Sequence, residues 1–392
     1  MTQVDMLRLE RLQNKMEEAN LDALVCRLPE NVVYLTEYWP HHGVSVVVLL
    51  KEGKPILFIP EVEAEYGLPD WADVVPFGWA LVKDPDQYES YRKLLGEVKT
   101  KSSLSGAKIG VEKSFEVVGS TYRAAEPIVP AAPWARVLEE VFADAELVDA
   151  TDLLQTMRAI KTDYEIEKLR TANEIAEMGM EEFLAKLEPG MTEVQVGALV
   201  EYKIRADGPG YKGARLVRAS AEVGAGVVNS TKCVLLVPST TYTIREGDLV
   251  MVELGVGVDG YWADLTYMAV AGEPTDKQRE IHNKVLEAQQ AAAQQVRAGA
   301  AWSDPDRTAR EIFKKAGLDE YFVHITGHGI GLRYHETIPF LMPGATATLE
   351  EGMVTSVEPG VYIPDFGGIR IEDIVAVGKD GPVFLSTPRE PW

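Results

Sequence analysis

An α/β N-terminal domain over residues 1–155, followed by a larger α+β domain over residues 156–392, is the fold class the sequence predicts. The chain's 392 residues exceed the size one hydrophobic core usually reaches, which makes two domains the better expectation. Its first third alternates helical and strand periodicities, and beyond residue 160 capped helices alternate with β-hairpins. The texture changes without a repeat, a low-complexity segment or a flexible linker, so the join falls near residues 150–160.

Leu7, Leu9, Leu12 and Met16 mark an amphipathic first helix. Apolar runs at 44–50 and 55–59 flank the turn-forming Lys51-Glu52-Gly53-Lys54 and read as paired strands. From Thr162 a long helix carries Ile166, Leu169, Ala176, Met180, Phe183 and Leu187 at helical spacing. Thr162 with Glu165 forms its capping box, and Pro189-Gly190 ends it. Thr192 with Gln195 starts the next helix, and Thr275 with Gln278 starts another that should run to about Gly299.

Composition narrows the class. Hydrophobic residues make up 46% and charged residues 26%, and no apolar run approaches the ~20 residues that span a bilayer. The N-terminus mixes charge into every turn and lacks the basic start and apolar block of a secretory signal, which predicts a cytoplasmic protein. Cys26 and Cys233, far apart, fit a reducing compartment and exclude a disulfide framework or thiolate cage. A net charge of -22 repels phosphate backbones and anionic membrane surfaces, so neither nucleic acid nor membrane is expected as a partner.

The segment from Leu249 to Asp264 reads as two strands joined by Asp259-Gly260, a strong hairpin signal. With that turn, residue 253 lies opposite 266, and Glu253 and Asp264 point to one side as diagonal neighbours, roughly 5.5 to 8 Å apart at Cβ. Such carboxylates on an apolar face repel and lose solvation unless protonated or bound to a cation. A solvated face explains them equally well at this point. A second hairpin, 354–363 and 369–377 around Pro364-Asp365-Phe366-Gly367-Gly368, sets Glu358 across from Glu372. Arg370, two residues from Glu372, shares its face and offers an ordinary ion pair as the alternative. Between the hairpins, His324, His328 and His335 fall in twelve residues among three glycines, a loop that brings imidazoles together. Histidines with paired carboxylates supply the mixed ligands that Mn²⁺, Fe²⁺, Co²⁺ or Zn²⁺ accept. His41, His42 and His282 read as surface or packing residues.

These residues together resemble the pita-bread metallopeptidases, which include Xaa-Pro dipeptidases, Xaa-Pro aminopeptidases, methionine aminopeptidases and the metal-free creatinases. The resemblance covers nearly the whole chain. Asn31-Val-Val-Tyr-Leu-Thr36 is similar to a creatinase-type N-domain, and Met157-Arg-Ala-Ile-Lys-Thr162 with Glu165-Ile-Glu-Lys-Leu-Arg170 resembles the domain junction. Pro189-Gly-Met-Thr-Glu193 resembles the next helix start. The family's ligand pattern is an Asp-x10-Asp hairpin, a His in a glycine-rich loop, a Glu-Pro-Gly and a closing Glu. It falls on Glu253, Asp264, His328, Glu358 and Glu372.

The resemblance implies an α/β domain before a pita-bread catalytic domain and two divalent ions, Mn²⁺ first, with Co²⁺, Zn²⁺ or Fe²⁺ as alternatives. By it, Asp264 and Glu372 bridge the ions, Glu253 completes the first, and His328 with Glu358 completes the second. Glu358 shuttles a proton, His324 and His335 orient substrate and donate to the tetrahedral intermediate, and Arg370 holds Glu372. Tyr362 resembles the family's substrate-side tyrosine after Glu-Pro-Gly. Three positions depart from the pattern. Glu253 is one methylene longer than the usual Asp, which implies unequal occupancy of the two sites; Val234-Leu-Leu-Val-Pro238 lacks the His of proline-specific members; and Tyr267 replaces a frequent Arg.

The first functional expectation is a metal-dependent hydrolase of small Xaa-Pro peptides, a dipeptidase ahead of an aminopeptidase. The alternatives are a hydrolase of a non-peptide amide or amidine, like creatinase or ectoine hydrolase, and a non-catalytic binding protein on the same fold. The resemblance further implies a homodimer in which one subunit's N-domain borders the other's active site, with the Tyr38-Trp39 region as the contact.

Overall fold

The computed structural model describes residues 3–64, 68–79, 86–114, 132–233 and 238–392. The described residues fall into two compact units, one ending at Arg158 and the other running from Ala159 to Trp392.

The first unit is built on a six-stranded mixed sheet of β1 (Ala23–Cys26), β2 (Val46–Leu50), β3 (Ile56–Pro60), β4 (Asp73–Phe77), β5 (Lys108–Val111) and β6 (Glu146–Asp149), in the order β4-β3-β2-β1-β5-β6. Central β1 is buried at every residue, as an unbroken apolar run predicts for a strand covered on both faces. The expected strand pair is β2 and β3, antiparallel with Val46 opposite Phe58. Helices α1 (Gln3–Glu18), α2 (Pro29–Thr36), α3 (Gln87–Lys101), α4 (Ala132–Val141) and α5 (Thr151–Ala159) accompany it. One face of the sheet packs Val25, Val46, Val48 and Phe58 with Tyr91, Leu95 and Trp134.

The start of α2 shows a capping device that local sequence does not carry. Its N-cap, Leu28, has no side-chain acceptor, and the Glu112 carboxylate at the end of β5 takes that role instead. Glu112 accepts from Arg27 N at 2.7 Å, Leu28 N at 3.0 Å and Asn31 Nδ2 at 2.7 Å. Burial nevertheless pushes its carboxyl up to about 7.

The second unit starts with α6 (Asp163–Lys186) and α7 (Glu193–Asp207), both opened by the expected capping boxes. A three-stranded antiparallel sheet follows, β7 (Val217–Ala225), β8 (Leu249–Val258) and β9 (Tyr261–Val270), with α8 (Gly226–Lys232) between its first two strands. Then come α9 (Asp276–Ala293) and α10 (Ser303–Lys315). A five-stranded sheet ordered β11-β10-β12-β15-β16 comprises β10 (Gly327–Gly329), β11 (Glu336–Leu341), β12 (Val354–Val357), β15 (Asp373–Val377) and β16 (Pro382–Phe384). The pair β13 (Gly360–Ile363) and β14 (Gly367–Arg370) stands apart. α6 packs on β8 and β9, and α9 pairs with α10 over a core of Val285, Phe313, Leu341 and Val375. α9 keeps its capping box but stops at Ala293, short of the expected Gly299. There the chain tightens into i to i+3 bonds, Gln295 N to Ala292 O and Val296 N to Ala293 O, which turns Val296 into the core.

His282 on α9 is a packing residue, 3% exposed and stacked on Trp392 with centroids 3.9 Å apart. Burial pushes its imidazole down to about 4, whereas an unfolded chain titrates near 6.5. Between those values the unfolded state binds the proton that the folded state refuses, so this contribution is full above pH 6.5 and fades as pH falls toward 4. Urea denaturation at pH 7 and pH 4.5 should show His282→Gln losing less stability on acidification than the parent chain, by up to about 3 kcal/mol. Equal losses would remove His282 as the cause.

Candidate metal centre

β8 and β9 meet in the register read from the sequence. Asp259 and Gly260 both have positive φ, 49° and 95°, as a two-residue hairpin turn requires. The Asp259 carboxylate accepts from Leu216 N at 3.0 Å, a bond that a Gly there could not make. Glu253 pairs with Thr266 and Gly255 with Asp264, so Glu253 and Asp264 are diagonal neighbours on one face.

The second hairpin keeps one register but not one ladder. Gly360 pairs with Arg370 in β13–β14, and Val357 pairs with Asp373 in β12–β15, which leaves Glu358 opposite Glu372 in the break between them. The sequence suggested continuous strands. Pro359 has no N–H to give, and two facing carboxylates repel, so the ladder opens at that point. The freed amides bond elsewhere, Glu358 N to Thr326 O at 2.8 Å and Glu372 N to Thr266 O at 3.4 Å. These bonds aim the two glutamates at the first hairpin.

His328 lies on a strand, β10, and not on a loop. The glycines beside it permit close backbone approach. A Cβ on Gly327 would sit 2.0 Å from Ser356 O, and one on Gly329 would sit 2.1 Å from Ile338 O. His328 Nδ1 donates to Gly329 O at 2.9 Å, which orients the ring and turns Nε2 toward the carboxylates. Nε2 faces Glu358 Oε1 at 3.3 Å and Asp264 Oδ2 at 3.5 Å. Ser356 Oγ accepts from His328 N at 3.1 Å and bonds Glu358 Oε1 at 3.0 Å, tying the two together.

The five residues expected as ligands therefore converge. Glu253, Asp264 and Glu372 each bring an oxygen within 4.8 Å of the others, and His328, Glu358 and Glu372 do likewise. His335 joins Asp264 and His328 in a third such group, closer to the ligand cluster than a purely substrate-orienting role suggests. His324 stands apart from these groups. Its Nδ1 donates to Ile325 O at 2.7 Å, so Nε2 accepts from the Tyr362 hydroxyl at 2.9 Å. Burial, then the nearby Arg370 charge, push its imidazole down to about 4 and keep it neutral. α10, absent from the sequence reading, holds this segment: Arg310 donates to His324 O at 2.7 Å, and Asp306 accepts from Thr326 Oγ1 at 2.9 Å.

Arg370 corrects one expectation. Its Nη2 pairs with Glu253, not with Glu372, because the guanidinium is turned by bonds from Nη1 to Cys233 O at 2.7 Å and to the Tyr362 hydroxyl at 3.0 Å. It reaches Glu372 only through Thr266, whose Oγ1 accepts from Arg370 Nε at 3.0 Å and lies 2.7 Å from Glu253 Oε2 and 2.8 Å from Glu372 Oε2. Thr266 was legible as the register partner of Glu253. Tyr334, whose hydroxyl bonds both Glu253 and Asp264, carries no periodic signal that could have marked it.

A cation suits this cluster. Burial raises the Glu372 carboxyl well above the usual range, and repulsion from Asp264, Glu358 and Glu253 adds to it. Glu358 is raised as well, by burial first. Glu372 Oε1 is buried without a hydrogen-bond partner, and a buried carboxylate oxygen left so is costly unless it ligates.

The profile of metallopeptidase family M24 matches residues 167–379, and that of the creatinase/prolidase N-terminal domain matches residues 8–160. The chain belongs to metallopeptidase family M24. It has that family's creatinase-type N-terminal domain and pita-bread catalytic domain. It is similar to the putative dipeptidase YkvY of Bacillus subtilis, with 33% identity covering 97% of this chain and 98% of that one. It is also similar to the Xaa-Pro dipeptidase of Lactobacillus delbrueckii, with 32% identity over 98% of each. Among solved structures, the Xaa-Pro dipeptidase from Bacillus anthracis superposes with a TM-score of 0.78 at 29% identity, covering 98% of this chain and 99% of that one. Residues 234–237, where the sequence lacks the histidine of proline-specific M24 members, lie outside the described residues.

Thr266 bonds two members of the cluster, Glu253 and Glu372, and Arg370 beside them. Thr266→Val should weaken divalent-cation binding about 10- to 100-fold, read by Mn²⁺ titration calorimetry. Unchanged affinity would make the hydroxyl incidental.

Proposed function

We propose that the chain is a dinuclear metallopeptidase that cleaves the amide bond of small Xaa-Pro peptides, dipeptides first. The observation that carries this is the convergence of Glu253, Asp264, His328, Glu358 and Glu372, with one Glu372 oxygen buried and unsatisfied. Full-length similarity to Xaa-Pro dipeptidases supports the substrate class. In this reading Glu253, Asp264 and Glu372 would hold a first ion, and Asp264, His328, Glu358 and Glu372 would hold a second. When bound, two divalent ions acidify the hydrolytic water and polarise the scissile carbonyl. We assign them as Mn²⁺.

The chain's own residues supply the rest. Glu358, raised by burial and within reach of His328, carries a proton toward the leaving nitrogen. His324 is held neutral, with Nδ1 on Ile325 O and Nε2 on the Tyr362 hydroxyl, so it and Tyr362 form a polar wall for the substrate carbonyl, backed by the Arg370 charge. His335, its ring 4.2 Å from that of His328, orients the other side of the substrate.

Protein stripped of metal and reloaded with Mn²⁺ should release amino acids from Ala-Pro, while stripped protein and the loaded Glu358→Ala variant should fall to background. Cleavage of Ala-Pro-Ala would move the assignment to an aminopeptidase. Failure on both, with metal bound, would turn it to a non-peptide amide, a reading favoured by the histidine missing from 234–238.

We also propose a cytoplasmic homodimer; no described helix is long and apolar enough to cross a membrane. Tyr38 is buried, its hydroxyl on Glu63, and Trp39 is half-buried. Sedimentation should give twice the 43.2 kDa chain mass, and a monomer would end this part of the reading.

A further inference from the structure

The two ends of the carboxylate cluster differ in how far protein groups already satisfy them. Toward His328, Glu372 Oε1 is buried without a hydrogen-bond partner, and Nε2 of His328 faces Asp264 and Glu358. Toward Glu253, both oxygens are engaged. Oε2 pairs with Arg370 Nη2 and lies 2.7 Å from Thr266 Oγ1, while Oε1 lies 2.6 Å from the Tyr334 hydroxyl. That hydroxyl also bonds Asp264 Oδ1. The phenol oxygen thus sits between the oxygens with which Glu253 and Asp264 would grip a first ion. Trp262 backs it edge to face, with ring centroids 5.9 Å apart.

We propose that Tyr334 gates the first metal position. This rests on the two-metal reading of the cluster and deepens it. The phenol and a cation compete for Glu253 and Asp264, so the ions load in order. The site of His328, Glu358 and Glu372 fills first and tightly. The Glu253 site fills second and more weakly, because the phenol must withdraw from both carboxylates. Two features equip the chain for this. Glu253 has a side chain long enough for its carboxylate to meet Arg370 and Tyr334 at once, and Tyr334 lies in the 330–335 connection between β10 and β11, outside any strand. The phenol can therefore leave without breaking a sheet ladder.

The test is Mn²⁺ titration calorimetry on chelator-stripped parent protein and Tyr334→Phe, with near-ultraviolet tyrosine difference absorption followed in the parent. The parent should bind in two steps of unequal affinity, with the tyrosine signal changing on the weaker step. Tyr334→Phe should keep the tight step, which also reports an intact fold, and should bind the second ion about 10- to 100-fold more tightly, the worth of hydrogen bonds to charged groups that no longer oppose it. A weaker step unchanged in Tyr334→Phe would overturn the gate. So would a looser one, since it would make the phenol a ligand. A parent protein whose tyrosine absorption stays flat through the weaker step overturns the gate independently of the variant. If neither protein binds Mn²⁺ at all, the metal reading itself fails, and that result is distinct from two proteins that bind two ions alike.

Discussion

Glu253, Asp264, Glu358 and Glu372 are gathered, among the described residues, against one guanidinium, that of Arg370, with His328 beside them. Ionised, four carboxylates facing one cation leave surplus negative charge in a region poor in water, and Coulomb repulsion there is far stronger than at a surface. Part of it is relieved by proton uptake, which the raised Glu358 and Glu372 carboxyls record. The remainder invites divalent cations. The surrounding scaffold is arranged to keep these like charges together against their tendency to part.

That arrangement works through the backbone. The second hairpin surrenders its ladder at Glu358 and Glu372, and the released amides are taken by Thr326 and Thr266, so no buried donor is left over for the distortion. Glycines at 327 and 329 let β10 approach its neighbours more closely than any side chain would allow, which sets the depth of His328. α10 fixes the preceding segment through Arg310 and Asp306. Site geometry and sheet geometry are therefore one problem, and the core of Val285, Phe313 and Val375 underneath resists the repulsion above it.

Much of this was legible because it rests on counting. Hairpin registers follow from turn residues, and the Asp259-Gly260 turn placed Glu253 and Asp264 correctly; capping boxes marked the starts of α6, α7 and α9. What escaped depends on contacts between residues far apart in sequence. Arg370 reads as a partner of Glu372, its near neighbour on the strand, but Cys233 O and Tyr362 turn it to Glu253, and no local pattern encodes that turn. Glycines 327, 329 and 331 read as loop because breakers and close-approach residues are the same amino acid. Glu112 capping α2 and Tyr334 reaching two carboxylates are likewise long-range or aperiodic, and only the fold reveals them.

The common register of the broken second hairpin has a further consequence. Glu358 and Glu372 face each other because each lies seven positions from Asp365, the centre of the turn, and the strands on both sides of the break honour that count. The turn therefore acts as a ruler for the metal centre although it carries no ligand. A substitution leaves that count intact, but adding or removing a single residue would slide one glutamate past the other and reverse the face of every residue beyond it. Chain length in that bend is thus as strictly constrained as the acids it aligns, and it is a place where relatives that differ freely in composition should not differ in length.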